Sequence, residues 1–507
     1  MMVTRITGLA SGIDIDQWVS DLMKAERTRV DTWYQKKQIL EWQQEDYRNI
    51  NTKLLALRNA TFDLKLQGSF QSKTVTSSDT NVLTASAGTS AVAGTYTVKV
   101  NSLASGVYKS STDALPDEQG TSGTKTLAQQ FGLSGTVTFT LEGTVNGEAV
   151  SKDFSFDTST ANIYTVVSEI NNANIGLKAS YDSTLNRFFL MTASTGSSSE
   201  LHVKADAENF LTGSLKLNVT VGADEANAYH GTDAEIDFND LTGLKFSSNQ
   251  FTVAGITFNL KSTSASAVTV SVANDTEAVI DKIKAWVNAY NDAVGLMFTE
   301  LNEERYRDYQ PLTDDQKKEM KDSDIEKWEA KARSGLLKGD SLLYGVYSRV
   351  RSTTMARVEG LSTTYNNLSA IGITTGSYQE GGKLYIDESK LRQALTADPE
   401  GVMNLFTTSG DTASNEGLAV RLYDELTKSM KLITDKAGSS TSYYDTSSIG
   451  REISRINTTI DRMEDRLSDL EDRYYRQFEA MEQAIQRMNQ QSMWLAMQFG
   501  GYSQQQQ

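Results

Sequence analysis

Along this chain the spacing of apolar side chains changes from a helical period to a period of two and back again. Near the N-terminus Asp14 precedes Ile15, Trp18, Val19, Leu22 and Met23, which fall at i, i+3, i+4, i+7 and i+8. That spacing puts all of them on one helical face. Asp14, with Gln17 three residues on, predicts the start of this helix. A longer helix is predicted next. Trp33, Leu40, Tyr47 and Leu54 lie seven apart, and so do Ile50, Leu57 and Leu64. Together they trace the seam of a coiled coil or bundle. Lys36 and Gln43 interrupt its N-terminal half, and Gly68 is the expected C-cap.

From about Ser72 the texture turns to Ser, Thr, Gly, Val and Ala, and alternation sets in. Tyr96, Val98 and Val100 alternate with polar residues, as do Val137, Phe139 and Leu141; Leu215, Leu217, Val219 and Val221; and Val268, Val270 and Val272. A period of two with polar partners predicts half-buried, mostly antiparallel strands. Asn146-Gly147 signals a hairpin.

At Asp275 the helical period returns, with Val279, Ile283, Trp286, Tyr290, Val294, Met297 and Leu301 in one stripe. Thr313 with Gln316, and Ser323 with Glu326, read as capping boxes. A helix is expected over Ser341–Arg357, and another after Asp398-Pro399 that carries Val402 and Phe406. The last helix has the strongest pattern. Ile449, Ile453, Ile456, Ile460, Met463, Leu467 and Leu470 advance in steps of four and three, and Tyr474 and Phe478 add a stutter. Helical ends therefore enclose a β-rich middle. Each end carries an apolar stripe that must be covered: by the other end of the same chain, by a second copy or by a different protein.

The 507 residues carry a net charge of −16, which speaks against a nucleic-acid partner. No apolar run approaches the ~18 residues of a membrane span, and the N-terminus lacks the pattern of a secretory signal. There is no cysteine, so thiolate chemistry, disulfides and cysteine-ligated zinc are excluded. The two histidines, His202 and His230, have no nucleophile motif and no partner at metal spacing, and no phosphate-cradling loop is present. Asp233, Glu235 and Asp237, with Asn239 and Asp240, are read as a solvated acidic edge rather than a cation site. The sequence thus predicts no catalytic residue, no metal site and no cofactor.

Four stretches carry a resemblance. They are Ile6-Thr7-Gly8-Leu9-Ala10-Ser11-Gly12-Ile13-Asp14 running on through Trp18, Leu22 and Ala25-Glu26-Arg27; Gly94-Thr95-Tyr96-Thr97-Val98-Lys99-Val100 with Leu103-Ala104; Leu368-Ser369-Ala370-Ile371-Gly372-Ile373-Thr374 through Leu405-Phe406; and the heptad C-terminal helix. In that order they resemble the family of bacterial flagellar filament cap proteins, also called hook-associated protein 2. Thr28-Arg29 departs from the family pattern, where a proline is expected.

The resemblance implies an α+β multidomain chain whose terminal helices form a coiled-coil or bundle leg, with antiparallel β-rich head domains inserted between them. The expected domains are 1–30, a terminal segment mobile until assembled; 31–75 plus 275–440, the helical leg; 76–112 plus 231–274, a β-rich head; 113–230, an inserted outer head; and 441–507, the C-terminal coiled-coil helix and tail. It further implies an extracellular ring of identical copies at the filament tip, capping the distal end and promoting insertion of exported flagellin. Expected partners are flagellin, the hook–filament junction proteins and an export chaperone on the C-terminal helix, with no nucleic acid and no membrane insertion. Filament docking is assigned to Leu9, Ile13, Ile15, Trp18 and Leu22 together with Ile453, Ile456, Ile460, Met463, Leu467 and Leu470. Two other classes are carried alongside: an adhesin that binds host glycans through the β domains, and an enzyme inserted in the middle, which the missing cysteines and isolated histidines oppose.

Overall fold

The computed structural model describes residue 12 and residues 14–116, 125–361, 364–439 and 444–500. The chain divides into two compact units, one from its two ends (Met1–Phe70 and Thr276–Gln507) and one from Gln71–Asp275.

The first unit is mainly helical. A single helix runs Ile15–Lys65, joining the two that apolar spacing alone separates. No glycine or proline interrupts this stretch, so its backbone hydrogen-bond ladder continues unbroken. Asp14 caps it, its Oδ1 accepting from the Gln17 amide at 3.0 Å, while the Gln17 side chain turns to Asp21. The helix ends at Lys65 with Leu66 extended. Gly68 lies in a short 3-10 turn and is not the C-cap.

Tyr47, Ile50, Leu54, Leu57 and Leu64 pack into one core with Ile283, Trp286, Tyr290, Val294 and Met297 of the helix Thr276–Asn302. Each such buried side chain is worth about 1.5–3 kcal/mol. The Trp286 indole N–H donates to Thr61 Oγ1 at 3.1 Å, and the Thr61 hydroxyl donates to the Leu57 carbonyl at 2.7 Å. Both polar groups are thereby satisfied at the centre of the core. The helices Ser341–Met355, Glu388–Ala397 and Pro399–Thr407 and a small hairpin, Ile373–Thr375 with Leu384–Ile386, add to the same core.

Thr313 and Gln316 form their capping box, and Asp398 caps the helix that opens with Pro399. Ser323 does not cap: the helix Asp322–Arg333 begins one residue before it, with Lys321 at the cap position. A further helix, Leu418–Ala437, buries the stripe Leu418, Leu422, Leu426 and Ile433, with Arg421 and Ser429 on the same face. Arg421 is used there to donate to the Arg357 and Ala356 carbonyls, just past the end of Ser341–Met355.

The second unit is antiparallel β. One sheet orders its strands Lys73–Ser77, Val268–Asn274, Gly94–Ser102, Ala234–Phe238 and Leu241–Phe246. Another orders Tyr229–His230, Glu200–Asp206, Thr136–Val145 and Glu148–Asp157. Asn146 and Gly147, at φ 52° and 84°, make the two-residue turn between the last two. Two hydrophobic clusters fill the unit, one around Val98, Val100, Ile236, Phe258 and Val270, the other around Phe139, Leu141, Ile170, Phe188 and Leu201.

The alternation Leu215–Val221 does not form a strand. A π turn occupies Phe210–Ser214, and Lys216 adopts the left-handed region at φ 51°. Leu215 and Leu217 are still buried, but only isolated bridges remain, Leu217 to Ser111 and Val221 to Val203. Among the described residues, no helix is long and apolar enough to cross a membrane.

Candidate functional site

The C-terminal helix, Ser448–Gly500, lies antiparallel along Ile15–Lys65. Four contacts set the register. Tyr475 donates to Asp16 at 3.0 Å, Arg27 lies 3.7 Å from Glu464, and Asp445, just before the helix, accepts from Gln44 at 2.6 Å and Arg48 at 2.9 Å. Burial pushes the Asp445 pKa up, but hydrogen bonds from Ser447 and Gln44 and the charge of Arg48 outweigh it and hold it below the usual carboxylate range. The exposed Arg27–Glu464 pair contributes little by comparison.

The apolar stripe supplies the pairing. Ile456, Ile460 and Leu467 bury themselves around Val30, with Met23, Trp33, Leu40 and Met463 at the margins. This is a satellite of the main core, which Ile449 and Ile453 join. Leu470 is half-buried. The seam is thus covered by the other end of the same chain.

The N-terminal turns divide by face. Ile15 and Val19 are buried, while Trp18 is 57% exposed and Leu22 is exposed beside it at i+4. Leu9 and Ile13 lie outside the described residues. Beyond the stutter the C-terminal helix presents Met488, Met493, Trp494, Leu495 and Met497 to solvent. Because the helices run antiparallel with Tyr475 at Asp16, both sets lie toward the same end of the pair, where the described residues leave these apolar side chains uncovered.

An acid cluster around the buried Asp46 lies on the same helical unit. Arg333 donates to Asp46 at 2.6 Å and pairs with Glu45 at 3.0 Å. Burial raises the Asp46 pKa more than Arg333 lowers it. Glu300 is pushed up to about 7 by burial first and then by Asp46 and Glu303, with Arg333 opposing.

On the β unit, the acidic run 233–240 is taken up in loop closure. Asp233 accepts from the Ser197 amide and hydroxyl, both at 2.7 Å. Asp237 accepts from Asn101 and the Gly243 amide, both at 3.0 Å, and Asn239 accepts from the Thr97 amide at 2.9 Å. Sequence spacing missed a different constellation: donor atoms of Glu142, His202 and Glu225 lie within 4.8 Å of one another. Their positions are 60 and 23 residues apart; strand pairing joins Glu142 to His202, and the short turn Glu225–Asn227 brings in the third. The available signal was the alternation Glu200, His202, Lys204 on one strand face.

Antiparallel sheets inserted in one chain between two paired terminal helices, with apolar side chains left open at the helix ends, define a structural assembly protein. The chain belongs to the flagellar hook-associated protein 2 family. The N-terminal model of that family matches residues 11–106 and the C-terminal model residues 231–490. Flagellar hook-associated protein 2 of Halalkalibacterium halodurans is 32% identical, with 96% of this chain and 98% of that protein covered. The Escherichia coli K12 protein of that name is 24% identical, with 97% of each covered. The fold is similar to the crystal structure of the D1-D2-D3 domains of the flagellar cap protein FliD from Escherichia coli, at TM-score 0.54 and 23% identity, covering 76% of this chain and 95% of that one.

Proposed function

We propose that this protein caps the distal end of the growing flagellar filament as a ring of identical copies and promotes insertion and polymerisation of exported flagellin. The observation that carries the reading is the open apolar surface at one end of the antiparallel helix pair, where Trp18 and Leu22 of the first helix and Trp494, Leu495 and Met497 of the overhanging last helix are exposed, in a chain of the hook-associated protein 2 family. Large exposed apolar side chains in a cluster mark a surface that another protein covers. In this proposal Leu9, Ile13, Trp18 and Leu22 meet the filament directly. Ile15 and the stripe Ile453, Ile456, Ile460, Met463, Leu467 and Leu470 hold the two end helices in the geometry that presents them. The 31–75 plus 275–440 segment acts as the leg, the 76–112 plus 231–274 and 113–230 segments as head domains, and 1–30 and 441–507 as the assembling ends.

No catalytic step is invoked. Folding and burial of flagellin's own helices beneath the ring supplies the free energy of each addition. The protein acts outside the cell, at the filament tip. It contacts flagellin, the hook–filament junction proteins and, before export, a chaperone that masks the C-terminal helix.

The test is complementation. Cells lacking the gene are expected to grow short or no filaments and to lose monomeric flagellin to the medium, and added purified protein should restore filament growth. Filaments of normal length in the deletion strain, with only surface attachment reduced, reject the capping role.

A further inference from the structure

Glu200, His202 and Lys204 alternate along one strand and so share a face of the four-stranded sheet. Glu142 on the neighbouring strand is the direct cross-strand partner of His202, which puts its carboxylate on the same face. The segment after Val221 runs alongside this strand, on the edge away from Glu142. Val221 bridges Val203, the Gly222 amide donates to the Val203 carbonyl at 3.1 Å, and Glu225 opens the short turn that follows.

His202 is 0% exposed. Its Nε2 lies 2.7 Å from the Gly222 carbonyl oxygen. A carbonyl can only accept, so Nε2 carries a proton, and in the neutral ring the lone pair is on Nδ1. That lone pair faces Glu200 Oε1 at 3.5 Å and Glu142 Oε1 at 3.6 Å. Neither His202 Nδ1 nor Glu200 Oε1 has a hydrogen-bond partner. Three electron-rich atoms that face one another out of water are unfavourable unless something positive lies between them.

The spacing indicates what that is. Zinc bonded to nitrogen and oxygen at about 2.0–2.2 Å in a tetrahedron sets its ligands roughly 3.3–3.6 Å apart. The distances from Nδ1 to both carboxylates fall at that edge length. The exposed Glu225 has a donor atom within 4.8 Å of those of Glu142 and His202, near enough to close the set by a rotamer change. Lys204 Nζ holds the other oxygen of Glu142 at 2.7 Å, which orients this carboxylate and leaves Oε1 for the site. Three carboxylates against one ammonium leave two negative charges uncompensated, which suits a divalent ion. One imidazole among carboxylates favours a transition metal over calcium.

We infer that Glu142, Glu200, His202 and Glu225 bind one divalent transition-metal ion, for which Zn2+ is the fitting probe, and that the ion pins the Val221–Glu225 segment onto the sheet. The test uses the tag-free full chain, stripped with chelator and titrated with Zn2+ by calorimetry near neutral pH. Expected are one Zn2+ per chain and a higher unfolding temperature for the loaded protein. His202→Gln, whose amide still reaches the Gly222 carbonyl, should weaken binding by about 100-fold or more, and the exposed Glu225→Gln by about tenfold. His230→Gln, the other histidine, should leave affinity unchanged. Glu225→Gln keeps the test sound if His202→Gln fails to fold. The assignment is overturned if the wild type takes up no Zn2+, if Ca2+ binds as tightly, or if removing His230 and not His202 or Glu225 abolishes uptake. The first of those results would leave a proton as the buried cation.

Discussion

Leu467→Asp tests whether the terminal helices are held by their apolar seam. Leu467 is 9% exposed and is one of four buried side chains in the satellite cluster with Val30, Ile456 and Ile460. Removing it forfeits about 2 kcal/mol of apolar burial. The new carboxylate faces the same apolar contacts one turn from Glu464, and Lys24 and Arg27, which line the same cavity, offset only part of its desolvation, so the whole change should cost about 3 kcal/mol. The cluster is separate from the main core, so this loss should open the helix ends without unfolding the rest. Hydrogen exchange reads it directly. Amides in 19–34 and 456–475 should exchange about a hundredfold faster or more, at tenfold per 1.4 kcal/mol. Amides in 47–64 and in the β unit should keep their protection. The variant should also fail to restore filaments, whereas Leu467→Met, which conserves volume, should cost under about 1.5 kcal/mol and restore them. Unchanged protection at both helix ends would refute the reasoning, as would a loss that spreads into the Thr136–Val145 strand.

Trp18→Asp should leave thermal stability within about 0.5 kcal/mol, because the side chain is already exposed, yet reduce filament restoration; full restoration would remove Trp18 from the docking surface. Glu300 has a folded-state pKa of about 7 against an ordinary 4.5, so the folded chain binds the extra proton and stability falls as pH rises between those values. The full linkage is about 3 kcal/mol, which solvent screening of this partly exposed side chain cuts to about 1–2 kcal/mol. Glu300→Gln should therefore be the more stable protein by that amount near about pH 8 and no more stable near about pH 4, and denaturant melts at the two pH values check the sign. Gly147→Ala places a Cβ at φ 84° with nothing within 4 Å of it, so only the backbone conformation is penalised. A loss of about 1–2 kcal/mol is expected in the β unit, and a neutral result would mean that the turn is not held in its left-handed form.

Period was the readable quantity in this sequence. The stripe Val279–Leu301, the seam Tyr47–Leu64, the heptads of the last helix and the strands around Val98, Phe139 and Val270 all fold as their spacing predicts, because local geometry decides which side chains share a face. Spacing fails where a tertiary contact overrides it. Leu215–Val221 alternates without pairing along its length, since Lys216 turns left-handed. Leu418–Ala437 buries Arg421 within its apolar face, a charged residue placed there to serve two carbonyls on another segment. Ser323 has a capping box in sequence and none in space.

By itself the sequence determined that both ends are helices with apolar stripes, that the middle is antiparallel sheet, and which family the motifs resemble. Those properties depend on residues close together in the chain, or on motifs that can be read in order. Only the tertiary structure decided that the last helix covers the first, with Trp18 and Leu22 left outside the seam. Only it brought Glu142 and Glu225 to His202. Both outcomes depend on pairings between residues far apart in sequence. Chain entropy makes such pairings costly to form singly, and they persist only when the whole core forms with them.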